Sequence, residues 1–336
     1  MMFQKCMTPL KCTLFSKFNR EEKIDTFFST TWCRDRLFTS ENPNDILKFY
    51  DTFSNRDELI KWMKERPKGR AEIIEVEGDK EIIVVIPTAD FNGKYAKECR
   101  ENIFKGLHII FVESGFPKDP YFNYAHNCNV GIKKAMEYNP KWIAVSNDDM
   151  KKVDDIGLLV EKLNDVNPLK ADTVYTSHSN VYFVGWERAP FYRLASYFRY
   201  LLKGDRVTRE LINKIRDRYN ITIRGYRKLP LVTLLFKNYY QYRLSWDFAI
   251  FSFSYARSKK GDIYDETFVN GVEDYDVFLE IYRSGKYSDV DYTISSIGGG
   301  SLGGGSKRAL RELLGFLYLD EKMKGCTRGS PRKSND

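Results

Sequence analysis

The clearest pattern in the chain is a series of short apolar runs that alternate with a segment of helical spacing. The runs cover residues 81–88, 107–115 and 142–146, and they are rich in Ile and Val. Between the second and third runs, apolar residues recur at the spacing of a helix that begins near Tyr124. Buried β-branched runs joined by helices are typical of parallel strands. The pattern therefore predicts an α/β domain.

Polar residues follow each of the three predicted strands. Thr88 and Asp90 come after the first strand, Glu113 ends the second, and an Asn-Asp-Asp sequence at residues 147–149 follows the third. Ligands of such sheets bind at the carboxyl ends of the strands. Asn and Asp also suit turns and helix caps, so a structural role remains open. The alternative is a cation site, because Mg²⁺ and Mn²⁺ favour one or two carboxylates together with phosphate oxygens.

A second group of acids lies far downstream, at Glu273, Asp274 and Asp276. Val277, Phe278, Ile281 and Tyr282 follow at the spacing of an amphipathic helix. Acids are favoured in the first turn of a helix by its dipole, which gives them a structural interpretation. A carboxylate beside other carboxylates also has a raised pKa, which suits a general base near neutral pH. The two interpretations are compatible.

Five short motifs along the chain are informative because of the order in which they occur. They occupy residues 83–88, 112–115, 129–135, 146–149 and 264–279, and a glycine-rich segment follows at residues 298–301. This order resembles that of inverting family 2 glycosyltransferases with the GT-A fold, over roughly residues 80–305. The resemblance implies an α/β fold of the GT-A type, with a Rossmann-like mixed sheet flanked by helices. It also implies transfer of a sugar from a nucleotide-diphosphate sugar to an acceptor hydroxyl.

The resemblance also implies roles for individual residues. Donor binding is expected at Pro87, Thr88, Asp90, Glu113, Asn129, Gly131, Asn147 and Asp148. Asp149 is the preferred ligand of a Mg²⁺ or Mn²⁺ ion, with Asn147 as a second ligand. Asp274 matches the general base, and Glu273 lies beside it. Asn129 also fits a solvated helix residue, and Gly131 fits a close contact between helix and sheet.

The chain departs from the family pattern at one point. Many relatives carry a His shortly before the final glycines that completes the metal site, whereas this chain has Ser295, Ser296 and Ile297 there. Its three His all occur at or before His178. The resemblance therefore identifies no third metal ligand.

The segment from Trp186 to Arg243 is strongly basic and rich in aromatic residues. It carries 14 Lys and Arg against four Asp and Glu, a net +10, while the whole chain has a net charge of +8. Its apolar spacing predicts a helical insertion. Such a segment suits an anionic membrane surface, where a lipid-linked acceptor would lie, and it equally suits a solvated insertion. Nucleic acid is the least favoured partner because no binding motif is present.

The sequence predicts the following division. Residues 1–78 form a partly helical N-terminal extension, residues 79–306 the GT-A domain with the insertion at 186–243, residues 307–324 a closing helix, and residues 325–336 a disordered tail. The six cysteines lack metal-binding or paired spacing and are expected to be reduced thiols. Without a signal-peptide pattern or a membrane-spanning run, the chain is expected in the cytoplasm or peripherally on the inner face of the membrane.

The predicted function is therefore an inverting glycosyltransferase whose acceptor is a saccharide or a lipid-linked saccharide. A nucleotidyltransferase is the main alternative enzyme, but the loop at residues 88–94 has too little Gly and too much acid for its usual phosphate loop. A non-catalytic basic adaptor for membranes or nucleic acid would need only the insertion. It would leave the ordered acidic motifs without a role.

Overall fold

The computed structural model of the chain describes eight stretches. They are residues 32–115, 119–177, 179–186, 206–221, 223–227, 239–245, 247–297 and 305–324. The predicted tail, the first part of the predicted N-terminal extension and the glycine-rich segment at 298–301 lie outside the described residues.

The central element is a seven-stranded mixed sheet, and two smaller sheets lie beside it. The strands in chain order are β1 (Glu72–Val76), β2 (Asp79–Thr88), β3 (Leu107–Glu113), β4 (Trp142–Ser146), β5 (Met150–Lys152), β6 (Thr173–Tyr175), β7 (Asn180–Trp186), β8 (Ile223–Arg227), β9 (Tyr239–Leu244), β10 (Phe248–Ser252), β11 (Tyr287–Asp289) and β12 (Ile294–Ser296). The large sheet has the order β1-β3-β2-β4-β10-β6-β11. Strands β3, β2 and β4 are parallel, whereas β10 is antiparallel to both β4 and β6.

Helices cover the sheet on both faces. They are α1 (residues 32–39), α2 (Pro43–Asp51), α3 (Arg56–Glu65), α4 (Lys94–Glu98), α5 (Tyr124–Met136), α6 (Ile156–Asn164), α7 (Arg206–Tyr219), α8 (Phe253–Ser258), α9 (Glu273–Ser284) and α10 (Gly305–Lys324). The α/β class and the mixed sheet flanked by helices are thus as predicted. The three predicted strands are β2, β3 and β4, and the helix predicted near Tyr124 is α5.

The core is divided by the sheet into two layers. Ile83 and Val85 of β2 pack with residues of α5, α10 and the N-terminal helices, whereas Val84 and Ile86 pack on the other face with Phe104. This alternation follows from the two-residue period of a strand. Each buried aliphatic side chain contributes about 1.5–3 kcal/mol, so β2 is firmly fixed between the layers. The carboxyl end of β2 is therefore rigid and keeps the residues that follow it in fixed positions.

The N-terminal helices dock onto α10. The Tyr50 hydroxyl donates to the Leu310 carbonyl at 2.7 Å, and the Arg56 guanidinium donates to the Leu317 carbonyl at 2.8 Å. Leu310, Leu313, Leu314 and Leu317 of α10 are buried, as the apolar spacing of this segment predicts. The two ends of the described chain thus meet in one layer beside the sheet.

The described part of the basic insertion is not purely helical. Strands β8 and β9 flank β7 in a three-stranded antiparallel sheet, and α7 lies between β8 and β7 in the chain. The prediction of a helical insertion is therefore wrong for these strands, whose Tyr residues favour extended backbone. In α7, the Arg216 Nε donates to the Ile221 carbonyl at 2.9 Å, and Arg218 pairs with Asp51 at 2.8 Å. Part of the positive charge thus holds the insertion to the rest of the protein.

Two further expectations concern cysteines and membranes. Cys99 and Cys128 are buried free thiols, as predicted, but Cys33 is disulfide-bonded, so the expectation of six reduced cysteines is wrong for this residue. Among the described residues, no helix is long and apolar enough to cross a bilayer.

Candidate active site at the carboxyl edge of the sheet

The carboxyl ends of β2, β3 and β4 lie side by side. Thr88, the final residue of β2, is directly opposite Glu113, the final residue of β3. The Ser114 amide donates to the Thr88 carbonyl at 2.9 Å, which ties the two strand ends together. The Thr88 hydroxyl donates to Asp148 Oδ2 at 2.7 Å and so connects β2 to the loop after β4. Three residues predicted from strand ends are therefore in mutual proximity.

The loop after β2 is folded back on Glu113. The Phe91 amide donates to Glu113 Oε2 at 2.9 Å, and Arg70 Nη2 lies 3.5 Å from Glu113 Oε1. The exposed Asp90 carboxylate accepts the Asn92 amide at 2.9 Å within the same loop. Glu113 thus shapes the rim of the site where a nucleoside is expected. Pro87, by contrast, is buried within β2.

Asp148 and Asp149 present adjacent carboxylates after β4. Burial raises the pKa of Asp148, the hydrogen bond from Thr88 opposes this, and the charge of Asp149 raises the pKa further. Asp149 is 8% exposed, and its carbonyl accepts the Ile297 amide at 2.9 Å. This bond extends the pairing of β5 with β12. Ile297 is therefore directly beside Asp149, and Ser295 and Ser296, where the chain departs from the pattern of the resembled family, precede it in the same strand region.

The acids after β4 fit a cation that is shared with a ligand. Within the described stretches, no three His, Cys, Asp or Glu side chains form a group that could hold a metal by themselves. Mg²⁺ commonly binds through one or two carboxylates plus substrate phosphates and water. Asp149, with Asp148 beside it, supplies donors of that kind, so the residues fit Mg²⁺ or Mn²⁺ bound together with a diphosphate.

Asn147 connects the start of α5 to the residue before β10 by hydrogen bonds. Its Oδ1 accepts the Tyr124 hydroxyl at 3.0 Å, and its Nδ2 donates to Asp247 Oδ1 at 3.1 Å. Its backbone amide also donates to the Asp247 carbonyl at 2.9 Å. Because both polar atoms of the side chain are engaged, this geometry does not support Asn147 as a metal ligand. Its contacts instead fix Asp247 at the edge of the sheet.

Asp247 is a further residue of the candidate site, and no motif in the sequence points to it. It immediately precedes β10, which runs antiparallel to β4, so its side chain lies at the carboxyl end of β4. The motif order gives no signal for it, because Trp246-Asp247-Phe248 is an ordinary strand entry in the sequence. Only the insertion of β10 next to β4 brings this carboxylate into the acidic group.

The turn before α9 is strained. Asn270, Gly271 and Val272 have φ values of 55°, 153° and 75°. A positive φ is costly for a β-branched residue such as Val272 and persists only where the surroundings impose it. Here Asn270 Oδ1 accepts the Tyr124 amide at 2.7 Å and its Nδ2 donates to the Phe122 carbonyl at 2.9 Å. The start of α5 therefore fixes the direction in which α9 begins.

Glu273 and Asp274 have different environments in the first turn of α9. Glu273 is buried and its Oε2 accepts the Gly271 amide at 2.5 Å, so this carboxylate braces the strained turn. Asp274 is half-buried. Burial raises the pKa of Asp274 well above its usual range, the charges of Glu273 and Asp247 raise it further, and Arg308 opposes them. Asp274 is thus the better candidate for a general base of the two.

Asn129 and Gly131 lie in the interior. The Asn129 side chain is fully buried, donates to the Tyr264 carbonyl at 2.8 Å and accepts the Tyr264 amide at 3.0 Å. A Cβ at Gly131 would lie 2.3 Å from Val85 Cγ1, so this glycine allows α5 to approach the sheet closely. Their contacts are structural, and the geometry gives no support for direct contact with a donor. Asn129 instead holds the chain that leads to α9.

Comparison with known proteins adds no assignment. The chain matches no protein-family model, and no curated protein matches it. A functional assignment therefore depends on the motifs and on the geometry described above.

Proposed function

We propose that the protein is an inverting glycosyltransferase of the GT-A type that uses a nucleotide-diphosphate sugar. One observation carries the proposal: acids from three distant segments meet at one edge of the sheet. Asp148 and Asp149 follow β4, Asp247 precedes β10, and Asp274 lies in the first turn of α9. The Asn147–Asp247 hydrogen bond and the effect of Asp247 on the Asp274 pKa connect these segments.

The donor side of the site is formed by the ends of β2, β3 and β4. Thr88 and Glu113 border the space where the nucleoside would bind, and Asp149 would hold Mg²⁺ or Mn²⁺ against the diphosphate. The cation would supply positive charge that stabilises the leaving diphosphate. Oxygen ligands at a rigid strand end keep such an ion in place without a dedicated protein cage.

Asp274 carries the chemical role on the acceptor side. Its carboxylate takes the proton from the acceptor hydroxyl while that oxygen forms a bond to the anomeric carbon. The bond from this carbon to the diphosphate oxygen breaks, and the diphosphate leaves with the electron pair. Attack from the face opposite the leaving group inverts the configuration. A raised pKa makes Asp274 a stronger base once it has lost its own proton.

The acceptor is proposed to be a saccharide, and the basic insertion suggests a lipid-linked one. Each Lys or Arg near an anionic surface contributes about 1 kcal/mol, so a few of them give reversible binding that weakens with salt. Binding to anionic but not to neutral liposomes, weakened by charge reversal at Arg193, Arg199 and Lys203, would support this acceptor. These three residues lie outside the described stretches. Equal recovery in the supernatant with both liposome types would favour a soluble acceptor.

Thermal-shift measurements against a panel of nucleotide-diphosphate sugars, with and without Mn²⁺, test the donor assignment. A ligand that binds only the native state stabilises it by about 2.7 kcal/mol at 100 times its dissociation constant. We expect one donor to raise the melting temperature, and to do so more with Mn²⁺. NMR of the transferred or hydrolysed sugar should then show inversion at the anomeric carbon. No shift with any donor, or retention of configuration, would contradict the proposal.

A further inference from the structure

Helix α10 is pressed against the strained turn before α9. A Cβ at Gly315 would lie 2.4 Å from the Gly271 carbonyl oxygen and 2.7 Å from Val272 Cγ2, so only a glycine allows this contact. A Cβ at Gly271 would lie 3.7 Å from Glu312 Cγ. Glu312 and Gly315 are one turn apart, so this face of α10 lies on the turn that directs Asp274.

Arg308 lies on the same face, one turn before Glu312. Its Nε donates to Glu312 Oε1 at 2.7 Å, and half of its side chain is exposed. Among the described residues, the guanidinium pairs with the Glu312 carboxylate and is partly exposed to solvent. Because Glu312 lies against the turn at Gly271, its hydrogen bond holds the Arg308 guanidinium on the side of α10 that faces this turn.

Arg308 interacts electrostatically with acids of the candidate site. Partial burial lowers the pKa of Arg308, but its hydrogen bond to Glu312 and the charges of Glu312 and Asp247 raise it. In return, its positive charge opposes the raised pKa values of Glu273 and Asp274. Arg308 is therefore close enough to influence the pKa values of Glu273 and Asp274, although it lies on α10 and these two acids lie on α9.

A diphosphate at this edge would meet several carboxylates and needs positive charge to bind. A cation at Asp149 supplies part of it. A guanidinium supplies more, because its planar fork donates two parallel hydrogen bonds to phosphate oxygens. An exposed Arg that is anchored by one carboxylate can exchange that partner for a phosphate at little cost.

We infer that Arg308 is a donor-binding residue that hydrogen-bonds the diphosphate of the nucleotide sugar, and that Glu312 holds its guanidinium over the site before the donor binds. This inference rests on the proposed function and adds a residue to that site. It assigns to α10 a part in binding as well as in packing.

The test compares Arg308→Met with Lys307→Met. Lys307 is the adjacent residue on α10, and its ammonium pairs with Glu41. Calorimetry would use the nucleoside diphosphate that shifts the wild-type melting temperature most, and the matching nucleoside. We expect Arg308→Met to weaken diphosphate binding about 10- to 100-fold, the usual effect of losing charged hydrogen bonds. Nucleoside affinity should change by less than about twofold, and Lys307→Met should leave both affinities unchanged.

Other outcomes separate the possible failures. Unchanged diphosphate affinity in Arg308→Met overturns the inference while leaving the proposed function intact. Equal loss of nucleoside and diphosphate affinity overturns it as well, because that result indicates a structural role. A wild-type protein that binds no nucleoside diphosphate contradicts the proposed function itself.

A second variant tests the holding role of Glu312. Glu312→Gln removes the competing negative charge and keeps the shape of the side chain. We expect it to bind the same nucleoside diphosphate a few-fold more tightly, since the guanidinium no longer has to leave a carboxylate. A tenfold or greater loss of affinity would show that the Arg308–Glu312 pair must stay intact, which overturns this part of the inference.

Discussion

The amino and carboxyl ends of the parallel strands β2, β3 and β4 both have clusters of polar side chains beside them, but the clusters differ in how their charges are arranged. At the amino end, His108 Nε2 lies 3.0 Å from Glu75 Oε2, and the Tyr138 hydroxyl donates to the same oxygen at 2.6 Å. Lys134 Nζ lies 3.5 Å from the other oxygen of Glu75. Partial burial raises the pKa of Glu75, but the hydrogen bonds from Tyr138 and His108 outweigh it and the pKa is lowered.

At the carboxyl end, like charges accumulate. Asp149 raises the pKa of its neighbour Asp148, and Asp247 raises the pKa of Asp274, with burial as the largest cause in both cases. Opposite charges that satisfy each other stabilise a fold, whereas clustered carboxylates cost stability and persist where a ligand or a reaction uses them. The arrangement of charge, more than its amount, thus distinguishes a structural cluster from a candidate site.

The largest effect is expected from Asp274→Asn. The change keeps the shape of the side chain and removes the proton acceptor, so turnover should fall roughly 10²- to 10⁴-fold while donor affinity is retained. Asp276→Asn is the matched control, because Asp276 lies on the same helix but pairs with Lys322 at 2.6 Å. Turnover close to wild type in Asp274→Asn would exclude Asp274 as the base, and Glu273 would then be the residue to test.

Asp149→Asn should weaken the Mn²⁺-dependent part of donor binding at least tenfold, since residues that only support a metal ligand already contribute 10- to 100-fold. Asp148→Asn should have a smaller effect, because Asp148 accepts a hydrogen bond from Thr88. Calorimetry with and without Mn²⁺ measures both variants. Equal losses in the two would mean that the carboxylates act together, and an unchanged Asp149→Asn would exclude Asp149 as the ligand.

At the amino end, Glu75→Gln should lower the free energy of unfolding by about 1 kcal/mol and leave turnover unchanged. The folded-state pKa of Glu75 is lowered, so its contribution is present above the unfolded value of about 4.3 and is lost as the pH falls. The difference from wild type in urea unfolding should therefore shrink below about pH 4. Glu81→Gln, an exposed pair partner of Lys141, is the control and should change stability by less than about 0.5 kcal/mol. Loss of turnover in Glu75→Gln would contradict the interpretation of the Glu75 cluster as purely structural.

The smallest effect is expected from Asp247→Asn, in the pH dependence of turnover. The proposed role of Asp274 requires its carboxylate without a proton, and its raised pKa places the acid limb of the pH profile of turnover above the usual range of a carboxyl group. Removing the negative charge of Asp247 lowers the Asp274 pKa, so the limb should move to lower pH. The Asn keeps an oxygen for the bond from Asn147. A limb that stays in place or moves to higher pH would mean that Asp274 does not respond to Asp247.

Much of the candidate site follows from local sequence patterns. Thr88, Glu113 and Asp148 could be predicted together, because parallel strands place successive carboxyl ends at one edge of a sheet. Gly131 could be interpreted as a packing residue because it interrupts the apolar face of α5. These inferences need only residues that are close in the sequence.

The remainder depends on long-range packing. Asp247 and Arg308 join the site only because β10 inserts next to β4 and α10 packs on the turn before α9, and neither contact leaves a pattern in the local sequence. The same reason explains the strands of the insertion, where β8 and β9 form because β7 lies between them. Asn147 fits a metal motif by position, yet its orientation is decided by Tyr124 and Asp247.

The contact between α10 and the rest of the domain also sets an order of events during synthesis. Ribosomes add about 5–20 residues per second, so α2 leaves the ribosome on the order of tens of seconds before α10. Until then Tyr50 lacks the Leu310 carbonyl that accepts its hydroxyl, and the turn at Gly271 lacks the helix that presses on it. A nascent chain therefore has an incomplete candidate site and an uncovered apolar layer, and transiently exposed apolar surface of this kind favours aggregation until α10 docks.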